Sequence, residues 1–172
     1  MKNSILAIAL FCSGFGFSQN SNSISFNSGI TGNKSFGGMI NYNYNTNNSN
    51  YEIGGVYSNF KDSQVEGKEL QFNTIALQLG YFHNVVRNRT NSILISPGIG
   101  ITGGYESLNN NDKNIVVKSK DGFIAGIYGG AQLDFYISDN FAINLRGQQN
   151  YYVISTTGKT NPFISVGLKF NF

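Results

Sequence analysis

From residue 24 to the end, apolar and polar residues alternate with period two, the spacing of a half-buried β-strand and not of a helix. The clearest run is the last. In it Ile164, Val166, Leu168, Phe170 and Phe172 share one face, while Phe163, Ser165, Gly167, Lys169 and Asn171 share the other. The same alternation recurs at 24–31, 36–45, 51–60, 70–82, 92–106, 122–137 and 141–154. Strands of about ten residues cross a bilayer when tilted. The pattern therefore predicts an all-β fold, an eight-stranded antiparallel transmembrane β-barrel of the outer-membrane type. The final strand, ending on an aromatic residue, is expected to close the barrel and to be the part that a barrel-assembly machinery engages. Connections alternate in character. Charged loops are predicted at 61–69 and 107–121, with short turns between. That asymmetry predicts a barrel with both mature termini in the periplasm and its long loops outside.

The faces differ in chemistry as well as in hydropathy. Beyond residue 18, only Glu52, Glu106, Asp134, Arg146 and Lys169 fall within predicted strands, all on the less apolar face; the other charges fall in predicted loops and turns. A charge facing lipid at the midplane costs about 2–4 kcal/mol, so a chargeless apolar face is what lipid contact requires. Aromatics band near the strand ends. Tyr44, Tyr51, Tyr81, Phe135, Phe141, Phe170 and Phe172 group at one rim, and Tyr57, Tyr105, Phe123 and Tyr151 toward the other. Two such girdles mark membrane interfaces.

Composition sharpens this picture. Charged residues are 12% of the chain, against about 25% in soluble proteins, and aromatics are 14%, with 21 Gly and 2 Pro. The formal net charge of +3 is too small to argue for a nucleic-acid surface. Residues 1–18 read as a secretory signal, with Lys2 in the positive region, an apolar run from Ile5 and small residues Gly16 and Ser18 at the cleavage site. The barrel is then 19–172. Cys12, the one cysteine, falls in the discarded signal, preceded by Phe11 where lipid attachment prefers a small residue.

Candidate chemistry is sparse. Eight strands leave an interior only wide enough for side chains, so the five inner charges are expected to pair as a structural network. Arg146 has Glu52, Glu106 or Asp134 as possible partners and Lys169 has Asp134. A gated pore or catalytic cluster is the less favoured reading. His83 is the only histidine and no Ser-x-x-x-His spacing marks a partner, so a structural or surface role is expected. With no second His and no Cys to join it, no zinc site is expected, and no cofactor. Gly98, Gly100, Gly103 and Gly104 follow strand periodicity and do not open a helix, so they read as room-making inside a narrow barrel and not as a phosphate loop. Pro97 is expected to mark a bulge.

The second half resembles the TraO family of conjugative transposon proteins. The likeness rests on Gly103-Gly104-Tyr105-Glu106, on Asp121-Gly122-Phe123, on Tyr136-Ile137-Ser138-Asp139-Asn140-Phe141, and on Val166-Gly167-Leu168-Lys169-Phe170-Asn171-Phe172. The resemblance implies a small outer-membrane barrel of a mating apparatus, a non-enzymatic interaction protein whose partners are outer-membrane lipids and other envelope or conjugation proteins. No direct contact with nucleic acid is expected. Two other functions are compatible with the residues: a general small outer-membrane protein for adhesion or envelope stability, and a lipid-modifying enzyme using His83.

Overall fold

Period-two alternation closes into a single sheet. The computed structural model describes residues 21–32, 35–65, 68–88, 92–109, 121–155 and 159–172, with backbone alone at 60–65, 68–71 and 108–109. The expected signal at 1–18 lies outside the described residues. The strands are β1 Ser21–Thr31, β2 Ser35–Asn45, β3 Ser49–Val65, β4 Lys68–His83, β5 Val86–Arg87, β6 Ile93–Asn109, β7 Gly122–Ser138, β8 Phe141–Ile154 and β9 Thr160–Asn171. All pairings are antiparallel. β1 pairs with β9 and β4 with β6, which closes an eight-stranded ring; β5 extends the β4 position by two residues against Ile95 and Leu94. Closure leaves no strand edge within the ring, the condition for a sheet to survive in lipid.

The faces divide as the alternation requires. Along β9 and the residue after it, Ile164, Val166, Leu168, Phe170 and Phe172 are all 45% exposed or more, whereas Phe163, Ser165 and Lys169, of the opposite parity, are buried. The outer face carries Ile75, Leu77, Ile99, Ile101, Ile127 and Val153, each more than half exposed. In water such a surface drives aggregation; in a bilayer it is the lipid contact.

The outer face of β3 also measures its own apolar band. Outward positions run Ser49, Tyr51, Ile53, Gly55, Tyr57, Asn59. At one end Ser49 Oγ lies 2.9 Å from the Tyr81 hydroxyl. At the other the Tyr57 hydroxyl and the Asn59 side-chain amide donate to Asn73 Oδ1 at 3.2 and 3.1 Å. The interval between these polar ends is about 25 Å at about 3.3 Å per residue and a 40° tilt, the height of a barrel's lipid band. Aromatic rings rim it. Tyr51 lies between Tyr44 and Tyr81, with centroids 6.5 and 5.3 Å away, and Phe141 meets Phe170 at 5.1 Å.

Three expectations about the strands are corrected. In the segment 61–69, residues 61–65 and 68–69 are strand and not loop. β3 runs on to Val65 and β4 starts at Lys68, with Lys61 opposite Gln71 and Asp62 opposite Leu70. Beyond the lipid band a strand no longer needs an apolar face, so charge there does not end pairing. Lys61, Asp62, Lys68, Glu69 and Arg87, expected in loops and turns, therefore stand in strands. The start of 107–121 is likewise strand, because β6 extends to Asn109 opposite Gln71; 110–120 lies outside the described residues.

Pro97 forms no bulge. β6 and β7 stay in register from Ile93–Phe135 to Glu106–Gly122. The carbonyls of Ile93 and Ile95 accept from Asn88 and Val85 on the β5 side, so the nitrogen of Pro97, two residues on, faces that side too. The β4–β6 ladder ends at Phe82–Gly98, and the missing amide hydrogen interrupts no bond.

Candidate functional site

Inward positions of the strands fill the lumen in tiers. Nearest the end that carries Ser21 and Phe172, Lys169 Nζ donates to Asp134 Oδ2 at 2.9 Å, and Asn144 Nδ2 to Asp134 Oδ1 at 2.5 Å. β7, β8 and β9 supply one residue each. Asp134 and Lys169 are 0% and 2% exposed, so each charge depends on the other in place of water.

The next tier spans the barrel. Arg146 on β8 reaches across to Glu52 on β3 in a two-pronged pair, Nη1 to Oε2 at 2.5 Å and Nη2 to Oε1 at 2.8 Å. Planar guanidinium matches planar carboxylate, the strongest common form of this contact. The Tyr128 hydroxyl also donates to Glu52 Oε1 at 3.3 Å. The Arg146 guanidinium carbon lies 4.8 Å from the Phe82 ring centroid and 5.8 Å from that of Tyr128. These rings fit because the facing positions on β6 are glycines. A Cβ at Gly98 would overlap the Phe82 ring, and one at Gly100 the Tyr128 ring and the Leu79 carbonyl oxygen. The inward glycines make room, as the sequence suggested; Gly103 does not, since its parity turns it outward beside Phe123.

Above this tier the plug becomes neutral. Arg146 Nε donates to Gln148 Oε1 at 2.9 Å, and the Gln148 amide to Asn150 Oδ1 at 3.1 Å. Gln78 joins from β4, donating to Asn150 Oδ1 at 3.3 Å. Beyond it Ala76, Ile124 and Tyr152 form an apolar cluster. The wall of β2 and β3 is less well matched: Asn41, Asn43 and Asn50 keep buried amide atoms with no partner among the described residues.

The expected charges pair as Arg146 with Glu52 and Lys169 with Asp134, while Glu106 lies toward the far end, where it accepts from Ser155 Oγ at 3.2 Å. Tyr128, Phe82, Gln78 and Gln148 are members that sequence reasoning did not single out. Their signal was parity alone, since each occupies an inward position of its strand.

His83 sits outside the lumen and is exposed. Ser49 Oγ and the Tyr81 hydroxyl each lie 3.4 Å from its Nδ1. Ser49 is its cross-strand partner, so the pair is brought together by β-sheet register and not by sequence spacing. No carboxylate among the described hydrogen bonds orients this histidine, and a serine nucleophile needs an oriented base. No group of three metal-ligating side chains occurs among the described residues.

A family model described as conjugative transposon protein TraO matches residues 16–172. No curated protein matches the chain in sequence. Among solved structures the chain is similar to a major outer membrane protein of Thermus thermophilus, with TM-score 0.71 and 10% identity over 90% of this chain and 100% of that one. It is similar to the outer membrane protein OprG of Pseudomonas aeruginosa, with TM-score 0.62 and 13% identity over 89% and 95%. It is also similar to Ail, the attachment invasion locus protein of Yersinia pestis, with TM-score 0.58 and 14% identity over 90% and 100%. At these identities the likeness is one of fold.

Proposed function

We propose, from the premise that the chain belongs to the family of conjugative transposon protein TraO, that it is an outer-membrane component of a conjugative transfer apparatus and works by contact, not by catalysis. The observation that carries this reading is the family match, which spans the whole barrel. The filled lumen supports it: with the Glu52–Arg146 and Asp134–Lys169 pairs crossing the interior, no nucleic-acid strand has a path through. The barrel then serves as an anchor. It presents its far rim to other envelope or transfer proteins and holds its termini in the periplasm. Among the described residues the rim is tallest where β3, β4 and β6 outrun their neighbours, since the β2–β3 ladder stops at Gly37–Ser58 while β3–β4 continues to Val65–Lys68. That wall and the segment after it are the proposed contact surface.

Deleting the gene from a donor strain that carries the conjugative element tests this. Transfer frequency is expected to fall by orders of magnitude and to return with the intact gene. Unchanged transfer, with surface attachment lost instead, would overturn the reading in favour of general adhesion.

A further inference from the structure

Outside the plug, a cavity of about 490 Å³ opens at the end of the barrel that carries Ser21 and Phe172. Arg87 of β5 and Asp139 of the β7–β8 turn line it with opposite charges; Ser92 and Tyr136 add hydroxyls, and Leu94 and Ile137 add apolar walls. The size is that of a small-ligand site. Arg87 Nη2 donates to the Asn47 carbonyl at 2.6 Å, which fixes the guanidinium while other N–H donors remain for a ligand. Tyr136 is tied down by its amide, which donates to the Ser92 carbonyl at 2.8 Å. The cavity meets the outer face at Ile137, which lines it and is 65% exposed.

We propose that this cavity holds the headgroup of a zwitterionic phospholipid, with the phosphate on Arg87 and Ser92 and the ammonium on Asp139. The acyl chains would lie against Ile137 and the apolar band. Among the described residues one positive and one negative wall face the cavity, which suits a headgroup that carries both charges. A net-anionic headgroup satisfies Arg87 equally but meets repulsion from Asp139, so the site discriminates by an unfavourable contact as much as by a favourable one. The proposal rests on the outer-membrane placement above and concerns the leaflet at the terminal end.

The test uses the folded barrel, purified with equimolar phosphatidylethanolamine and phosphatidylglycerol, and native mass spectrometry of the lipid it retains. Phosphatidylethanolamine is expected in several-fold excess. Losing one charge-assisted contact in Arg87→Ala is expected to cut its retention about tenfold. Asp139→Asn is expected to raise phosphatidylglycerol to parity. Equal retention by the wild type, or a preference that survives both substitutions, would overturn the site. Soluble phosphoethanolamine is expected not to displace the lipid at equal concentration; displacement would overturn the lipid as its source. Both variants should keep the wild-type shift on boiling in gel electrophoresis. A wild type with no such shift removes the membrane placement itself, and the proposal with it.

Discussion

Arg146 is 2% exposed, and its carboxylate partner is 4% exposed, so neither charge has water to fall back on. Removing one partner is therefore far worse than removing both. Arg146→Ala is expected to destabilise the barrel by about 3–5 kcal/mol, because Glu52 is left buried and uncompensated. The double variant Glu52→Gln/Arg146→Met should recover most of that loss. Urea unfolding in lipid vesicles measures both, and a double variant no better than the single one would show that the pair is not coupled. The glycine–ring contacts carry a matching expectation. Tyr128→Ala should cost about 3–5 kcal/mol through the space it leaves, and Gly100→Leu at least about 1–3 kcal/mol through overlap with both the Leu79 carbonyl oxygen and the Tyr128 ring, of which only the second is relieved by Tyr128→Ala. Combining them should cost less than the sum, since leucine occupies part of the space that the ring vacates. A strictly additive result would contradict the packing described. At this scale the sequence showed which side chains face inward but not which meet. Glu52 and Arg146 lie on β3 and β8, whose contact depends on barrel diameter and stagger, and neither is written in the alternation.

Strands explain where reading the sequence succeeded and where it stopped. Within the lipid band, burial in hydrocarbon enforces strict parity, so the outward set Ile164, Val166 and Leu168 is recognisable before any coordinates exist. Above Asn59 that constraint lapses. Strand β3 carries Lys61 and Asp62, so hydropathy suggests a loop, yet backbone pairing with β4 continues. Pro97 misled in the opposite direction, because the cost of a missing amide depends on which neighbour it faces. The band also predicts depth dependence along one β-sheet face. Ile101→Arg, mid-band on β6, should destabilise by about 2–4 kcal/mol, whereas Phe123→Arg, near the far rim on β7, should cost about 0–1 kcal/mol. Equal costs in the same unfolding assay would mean that the band is misplaced.

For the molecule as a whole, one division of labour accounts for the rest: an apolar exterior, a paired polar interior and a raised wall at one rim. The proposed role in conjugative transfer uses the wall and the anchor, and the proposed lipid site uses the opposite rim. Both depend on which face meets hydrocarbon. Spin labels placed singly at residues 164 to 168 of the barrel in lipid vesicles measure that directly, through collisions with oxygen dissolved in the bilayer. Accessibility is predicted to oscillate with period two, peaking at Ile164, Val166 and Leu168 and falling at Ser165 and Gly167. Peaks at Ser165 and Gly167, or no oscillation, would contradict the account.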